Sequence, residues 1–152
     1  MIKRPGSQLS LLFEVHAAAQ ATGAMVEAAL ADAPLTPAEY AQYSVLYDEG
    51  PCTPTAMARR LGMPLTSMMH VVRTLQGRGH AERVPDPADG RSYRLALTPA
   101  GHAAHATTSA AFAVAQRRFD RALAIPRGQA REVLQAVAEA ARRAQEELAQ
   151  SA

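Results

Sequence analysis

Apolar positions along the chain change period several times, and the changes mark out its elements. From residue 8 to about 31, Leu9, Leu12, Phe13, Ala17, Ala21, Ala24, Met25 and Ala28 recur at steps of three and four. That spacing predicts an amphipathic helix, which Pro34 stops. Thr36-Pro37-Ala38-Glu39 then combines an N-cap hydroxyl, a proline at the first helical position and a capping-box glutamate, so a second helix should run from about 37 to 49 and end at Gly50. Thr53-Pro54 repeats the start signal, and Ala56, Met57, Ala58 and Leu61 make a short third helix closed by Gly62. Pro64 opens a fourth, with Met68, Val71, Val72 and Leu75 at helical spacing until Gly77 and Gly79.

Beyond Gly79 the period falls to two. Ala81 to Val84 reads as a short strand, DPADG as the source of the turn residues, Asp89-Gly90 included, and Ser92 to Leu97 as the return strand. Thr98-Pro99 caps a long helix to about 123, with Phe112, Ala115, Phe119 and Leu123 on one face. After Pro126 a last helix, about 127 to 148, carries Val133, Leu134, Val137, Ala138 and Ala141. The expected fold is mainly α with a small β-hairpin. Its third and fourth helices, about three residues apart, have the helix-turn-helix layout.

Composition narrows this. A chain of 152 residues suits one domain. With three Phe, four Tyr and no Trp, Ala, Leu, Val and Met must fill most of the core, which favours helices that bury surface against a partner. The single cysteine, Cys52, cannot form an internal disulfide and reads as an ordinary buried thiol. Lys3 and Arg4 before an apolar run imitate a secretory signal, but Glu14 and His16 interrupt it; without a span of about 18 apolar residues, the expectation is a cytoplasmic protein with no membrane contact. Seven arginines against three acids between Arg59 and Arg94 leave a modest basic footprint of the kind nucleic-acid binders carry. No Gly-rich phosphate loop, metal-ligand series or nucleophile with a base appears, so neither catalysis nor a cofactor is expected. His102 and His105 sit three apart on one helix, without a third ligand nearby in sequence.

The element order, with Leu35-Thr36-Pro37, Glu49-Gly50, Ala58-Arg59-Arg60-Leu61-Gly62, Leu75 with Gly79, and above all Asp86-Pro87-Ala88-Asp89 with Arg91 followed by Leu97-Thr98-Pro99-Ala100-Gly101, resembles the multiple-antibiotic-resistance-regulator (MarR) family of winged-helix transcription factors over essentially the whole chain. The resemblance implies a winged helix-turn-helix lobe at about 36–98, with dimerisation helices at about 8–31 and 99–148. It also implies a homodimer that binds a pseudo-palindromic operator in double-stranded DNA, usually as a repressor, and that a small phenolic or oxidant signal releases.

On that reading the DNA-binding residues are Thr66, Ser67, Met69, His70 and Arg73 on the fourth helix and Arg91, Ser92 and Arg94 on the wing. Thr66 and Ser67 equally suit helix-start hydrogen bonds. Family members often carry a stronger hydrogen-bonding group at His70, a hydroxyl at Met69 and a basic residue at Gly90, which leaves a second expectation: a protein-binding adaptor with weak, non-specific DNA binding. Residues 91 and 94 differ by an odd number, so on an ideal strand they face opposite ways, one bracing the hairpin and one free for DNA. The resemblance suggests that Arg91 pairs with Asp89 or Asp86. Tyr40, Tyr43 and Tyr47, at i, i+3 and i+7, read either as core filling or, with His16 or Arg4 to meet a carboxylate, as the lining of an aromatic effector pocket.

Overall fold

A computed structural model of the protein describes residues 10–151; Arg4 and Leu9 lie outside them. In chain order the elements are α1 (Leu11–Ala29), α2 (Pro37–Glu49), α3 (Pro54–Leu61), α4 (Leu65–Gly77), β1 (Ala81–Asp86), β2 (Asp89–Leu97), α5 (Pro99–Ala122) and α6 (Arg127–Gln150). Two compact units divide the described residues, one reaching to Ala115 and one starting at Gln116.

The predicted caps operate. Thr36 accepts from the Glu39 amide and Glu39 returns the bond to the Thr36 amide, closing the capping box of α2. Thr53 caps α3 through the Ala56 amide. Gly62, at φ 66°, ends α3 in the left-handed region, which lets the chain turn directly into α4.

Side chains from α2, α3, α4 and the hairpin close one core, with Leu35, Tyr43, Met57, Met68, Val72, Leu75 and Leu95 at its centre. Against it, neither α1 nor α6 buries any residue. Among the described residues, no helix is long and apolar enough to cross a membrane.

The hairpin turns within the expected DPADG stretch, but its strands run further into that stretch than expected. β1 and β2 pair antiparallel with Ala81 opposite Leu97, Val84 opposite Arg94 and Pro85 opposite Tyr93, and the next pair is Asp86 with Asp89. The turn is therefore Pro87-Ala88, and Asp89-Gly90 already belongs to β2. Proline presets the φ of a turn's second residue, and the Asp86 carboxylate accepts the Ala88 amide at 3.0 Å, so this chemistry outcompetes Asp-Gly. Because Pro85 pairs with Tyr93 and Asp86 with Asp89, Gly90, Arg91 and Ser92 have no partner across the ladder and form a bulge.

Cys52 also gains a role. Its backbone exchanges two hydrogen bonds with Leu95, at 3.1 and 2.9 Å, tying the α2–α3 connection to the hairpin. Burial pushes its thiol up, the Glu49 charge adds to the shift and Arg94 opposes it, so the thiolate is disfavoured.

Candidate nucleic-acid interface

α4 buries Met68, Val71, Val72 and Leu75, one stripe of a 3.6-residue period. The opposite stripe leaves Thr66, Ser67, His70 and Arg73 exposed and Met69 half-buried. N-cap Pro64 makes no side-chain cap, and neither the Thr66 nor the Ser67 hydroxyl bonds within the protein among the described residues. Helix-start bonding does not occupy them, so both hydroxyls are available to an outside acceptor or donor.

The wing separates its two arginines, though not by strand parity. Arg94 Nε donates to Asp86 Oδ1 at 3.0 Å, an ion pair in which the carboxylate is buried and the guanidinium 37% exposed. Asp86 thus holds both the turn, through Ala88, and the return strand, through Arg94. Arg91 is exposed, and only its amide, not its guanidinium, meets Asp89, at 3.0 Å. The pairing suggested for Arg91 falls instead to Arg94, because the bulge at 90–92 breaks the alternation on which parity depends. Ser92 is half-buried within that bulge. A third arginine, absent from the sequence candidates, also belongs to the wing: Arg83 lies over the Tyr93 ring, 4.3 Å from its centroid. The signal for it was the diagonal that register places between positions 83 and 93, which needs the pairing to be known.

The tyrosine stripe splits between two neighbours. Each helical residue turns about 100°, so Tyr43 lies about 60° round from Tyr40 while Tyr47 lies nearly above it. Tyr43, 1% exposed, faces the core, and its hydroxyl meets His80 Nδ1 at 2.8 Å. Tyr40 and Tyr47 face α5 and clamp the His105 imidazole, stacking on it at centroid distances of 5.2 and 4.3 Å. Phe112 and His102 flank this cluster. His105, 5% exposed, shares a hydrogen bond with Ser44 Oγ through Nε2 at 3.1 Å, and its Nδ1 is buried without a partner. Burial depresses its pKa, His102 adds to that effect and Asp48 opposes it. Among the described residues no three His, Cys, Asp or Glu side chains converge, so His102 and His105 have no third ligand. His16, on α1, is exposed.

The cleft nearest to the candidate residues is elsewhere. About 190 Å³ opens between α2 and α4, lined by Tyr43, Gln42, Val71, Thr74 and Leu75, with His70 at its rim and the Glu39–Arg78 pair, 2.7 Å apart, across it. Burial alone would raise the Glu39 carboxyl; the Thr36 amide and Arg78 outweigh it and hold it below the usual range. Of the tyrosines, only Tyr43 reaches this cleft, and His16 does not.

Gly79, His80 and Gly101 join α4 to α5. Gly79, at φ 68°, takes the chain out of α4. The Thr98 hydroxyl donates to the Gly79 carbonyl at 2.6 Å and caps α5 by accepting from the Gly101 amide, while the Thr98 amide donates to the His80 carbonyl at 3.0 Å. A Cβ on Gly101 would collide with that same His80 carbonyl, so only glycine fits.

Residues 33–92 match the sequence profile of the MarR family. No curated protein sequence matches the chain significantly. Among solved structures, a probable transcriptional regulator from Pseudomonas aeruginosa is 28% identical, with a TM-score of 0.66 over 86% of this chain and 95% of its own. The transcriptional repressor CouR bound to a 23-mer DNA duplex is 25% identical, with a TM-score of 0.71 over 89% and 99%. CouR from Rhodococcus jostii RHA1 bound to p-coumaroyl-CoA is 23% identical, and its TM-score of 0.75 over 87% and 96% shows the shared fold. The profile match thus covers the lobe, and along most of its length the chain is similar in fold to solved transcriptional regulators.

Proposed function

We propose that the protein is a homodimeric repressor that binds a pseudo-palindromic operator through α4 and the wing of each copy. The observation that carries this is the unengaged polar face of α4, Thr66, Ser67, His70 and Arg73, on a lobe whose wing holds Arg91 free by tying Arg94 to Asp86. Phosphate contacts supply affinity and base-edge contacts supply sequence preference, and this set offers groups for both. Two such helices reach successive major grooves when they lie about 34 Å apart. Met69, half-buried, contributes at most an edge to a thymine methyl group. Arg94 acts as the brace that positions Arg91.

Release by a small aromatic or phenolic molecule belongs to the same proposal. CouR bound to p-coumaroyl-CoA and the ring cluster that joins α2 to α5 support it, and the disfavoured Cys52 thiolate favours a ligand over an oxidant.

An anisotropy titration against the DNA upstream of the protein's own gene tests the reading. Salt-sensitive binding confined to one fragment is expected. Arg91→Ala should weaken binding to every sequence and flatten the salt dependence by about 1 for each copy in contact, whereas Arg73→Ala should alter sequence preference. Equal, weak binding to all fragments would instead favour the adaptor reading, and unchanged affinity in both variants would remove these residues from the interface.

A further inference from the structure

The residues that α5 buries are Gly101, His105, Thr108 and Ala115, one stripe at steps of four, three and seven. Gly101 meets the His80 carbonyl, Thr108 returns its hydroxyl to the Ala104 carbonyl at 2.9 Å, and Ala115 is apolar. Within this stripe His105 alone can change its charge, and neither helix capping nor the DNA-facing surface uses it.

Its surroundings suit one protonation state. Tyr40 and Tyr47 of α2 sandwich the ring at interplanar angles of 18° and 23°, and Ser44, between them in sequence, meets Nε2 at 3.1 Å. A neutral imidazole has one donor and one acceptor nitrogen, and the Ser44 hydroxyl serves Nε2 in either sense, so a single uncharged nitrogen, Nδ1, is left bare. An imidazolium is a donor at both nitrogens, and its Nδ1–H would carry positive charge into a buried site with no acceptor, a far larger penalty. Of the charged and titratable side chains that act on the ring, Asp48 on α2 favours that cation, and His102, about one turn back on α5, opposes it. Asp48 is exposed, so water screens its pull.

The ring also has a way out. Tyr47, which closes one side of the slot, is 52% exposed, so water lies one ring away. About one turn before His105 stands Gly101, seated on the His80 backbone at the exit from α4, so the turns that His105 pins to α2 are those that carry the joint to α4.

We propose that His105 is a proton-operated latch: on taking up a proton it leaves the slot between Tyr40 and Tyr47, the first turns of α5 come away from α2, and the form of the lobe that binds operator DNA is depleted. The last step rests on the repressor reading; the latch itself does not.

Amide hydrogen exchange, corrected for its intrinsic pH dependence, tests it. With the released ring titrating at about 6.5 and the latched ring lower, the open-to-latched ratio should grow by up to about tenfold between about pH 7.5 and about 5.5. Residues 99–108 of the natural chain should lose protection by that factor relative to α4, and His105→Gln, which keeps a neutral partner for Ser44, should not. Asp48→Asn, a surface change, should keep the loss or enlarge it, because the charge that favours the imidazolium in the slot is gone. Equal pH dependence in the natural chain and His105→Gln, none in either, or its disappearance in Asp48→Asn would overturn the latch. His70 stands exposed on α4, so a change in DNA affinity alone would not identify His105. Exchange in the complex does: the DNA fragment preferred in the anisotropy titration, at saturation, should restore the protection of residues 99–108 at about pH 5.5. If the bound protein lost protection equally, the link to DNA would fall and the latch would stand. If no fragment were preferred, the repressor reading would fall, and the exchange of the free chains would still decide the latch.

Discussion

The lobe from α2 to the hairpin and the helix α6 come from one chain but are built on opposite terms. The lobe seals its core with its own side chains, down to Met57, Met68, Val72 and Leu95 at full burial, and Thr36, Thr53 and Asp86 close its caps and turn from within. By contrast α6 leaves its largest apolar residues in the open and has no acid in its first turn and no base in its last to favour its dipole. The lobe is therefore stable for local reasons, whereas α6 becomes favourable only when something complementary covers it.

Substitutions can break that contrast or sharpen it. The largest loss should come from Gly101→Val, whose side chain must displace the His80 backbone; the cost, of the order of 5 kcal/mol, is what a domain of this size has in total, and circular dichroism should show an unfolded lobe. Met68→Ala, in the sealed core, should lower the unfolding free energy by about 2–5 kcal/mol in chemical denaturation at any protein concentration. Leu134→Ala removes as large a side chain from α6, but its penalty should appear as a concentration-dependent melting point, with little change at the dilute limit. If Leu134→Ala cost as much as Met68→Ala at every concentration, the contrast would be false.

The smallest effect concerns pH. Burial between α2 and α5 lowers the His105 pKa, so the folded protein holds this imidazole neutral where the unfolded chain would protonate it. As pH falls through the ordinary histidine range at about 6.5, the unfolded state takes up the proton first and the folded protein loses stability. Thermal melts between about pH 7.5 and about 5.5 should show a steeper decline for the natural chain than for His105→Gln; parallel declines would remove His105 as the cause.

How much of this could be read from sequence depends on the range of the forces involved. Caps act within four residues, so Thr36-Glu39 and Thr53 gave the starts of α2 and α3, and the apolar spacing of α4 gave its buried face and, by subtraction, its open one. The stretch DPADG marked the hairpin turn, but which two of its residues make the turn was not legible, because Asp86 is fixed by Arg94, eight residues away. The tyrosine stripe looked uniform because periodicity tells which residues share a side of a helix, not which neighbour each one meets across 60° of arc. Nothing local marks His105 as the residue between Tyr40 and Tyr47, or Cys52 as a strand partner of Leu95, since both contacts join segments far apart in the chain.

The missing side chain at Gly101 carries a last consequence. Where backbone touches backbone there is no rotamer to yield, so the first turn of α5 and the exit from α4 mesh like two teeth of a gear. A tilt of α5 therefore presses on the backbone just past α4, and any event that leans on α5 bears directly on the end of that helix.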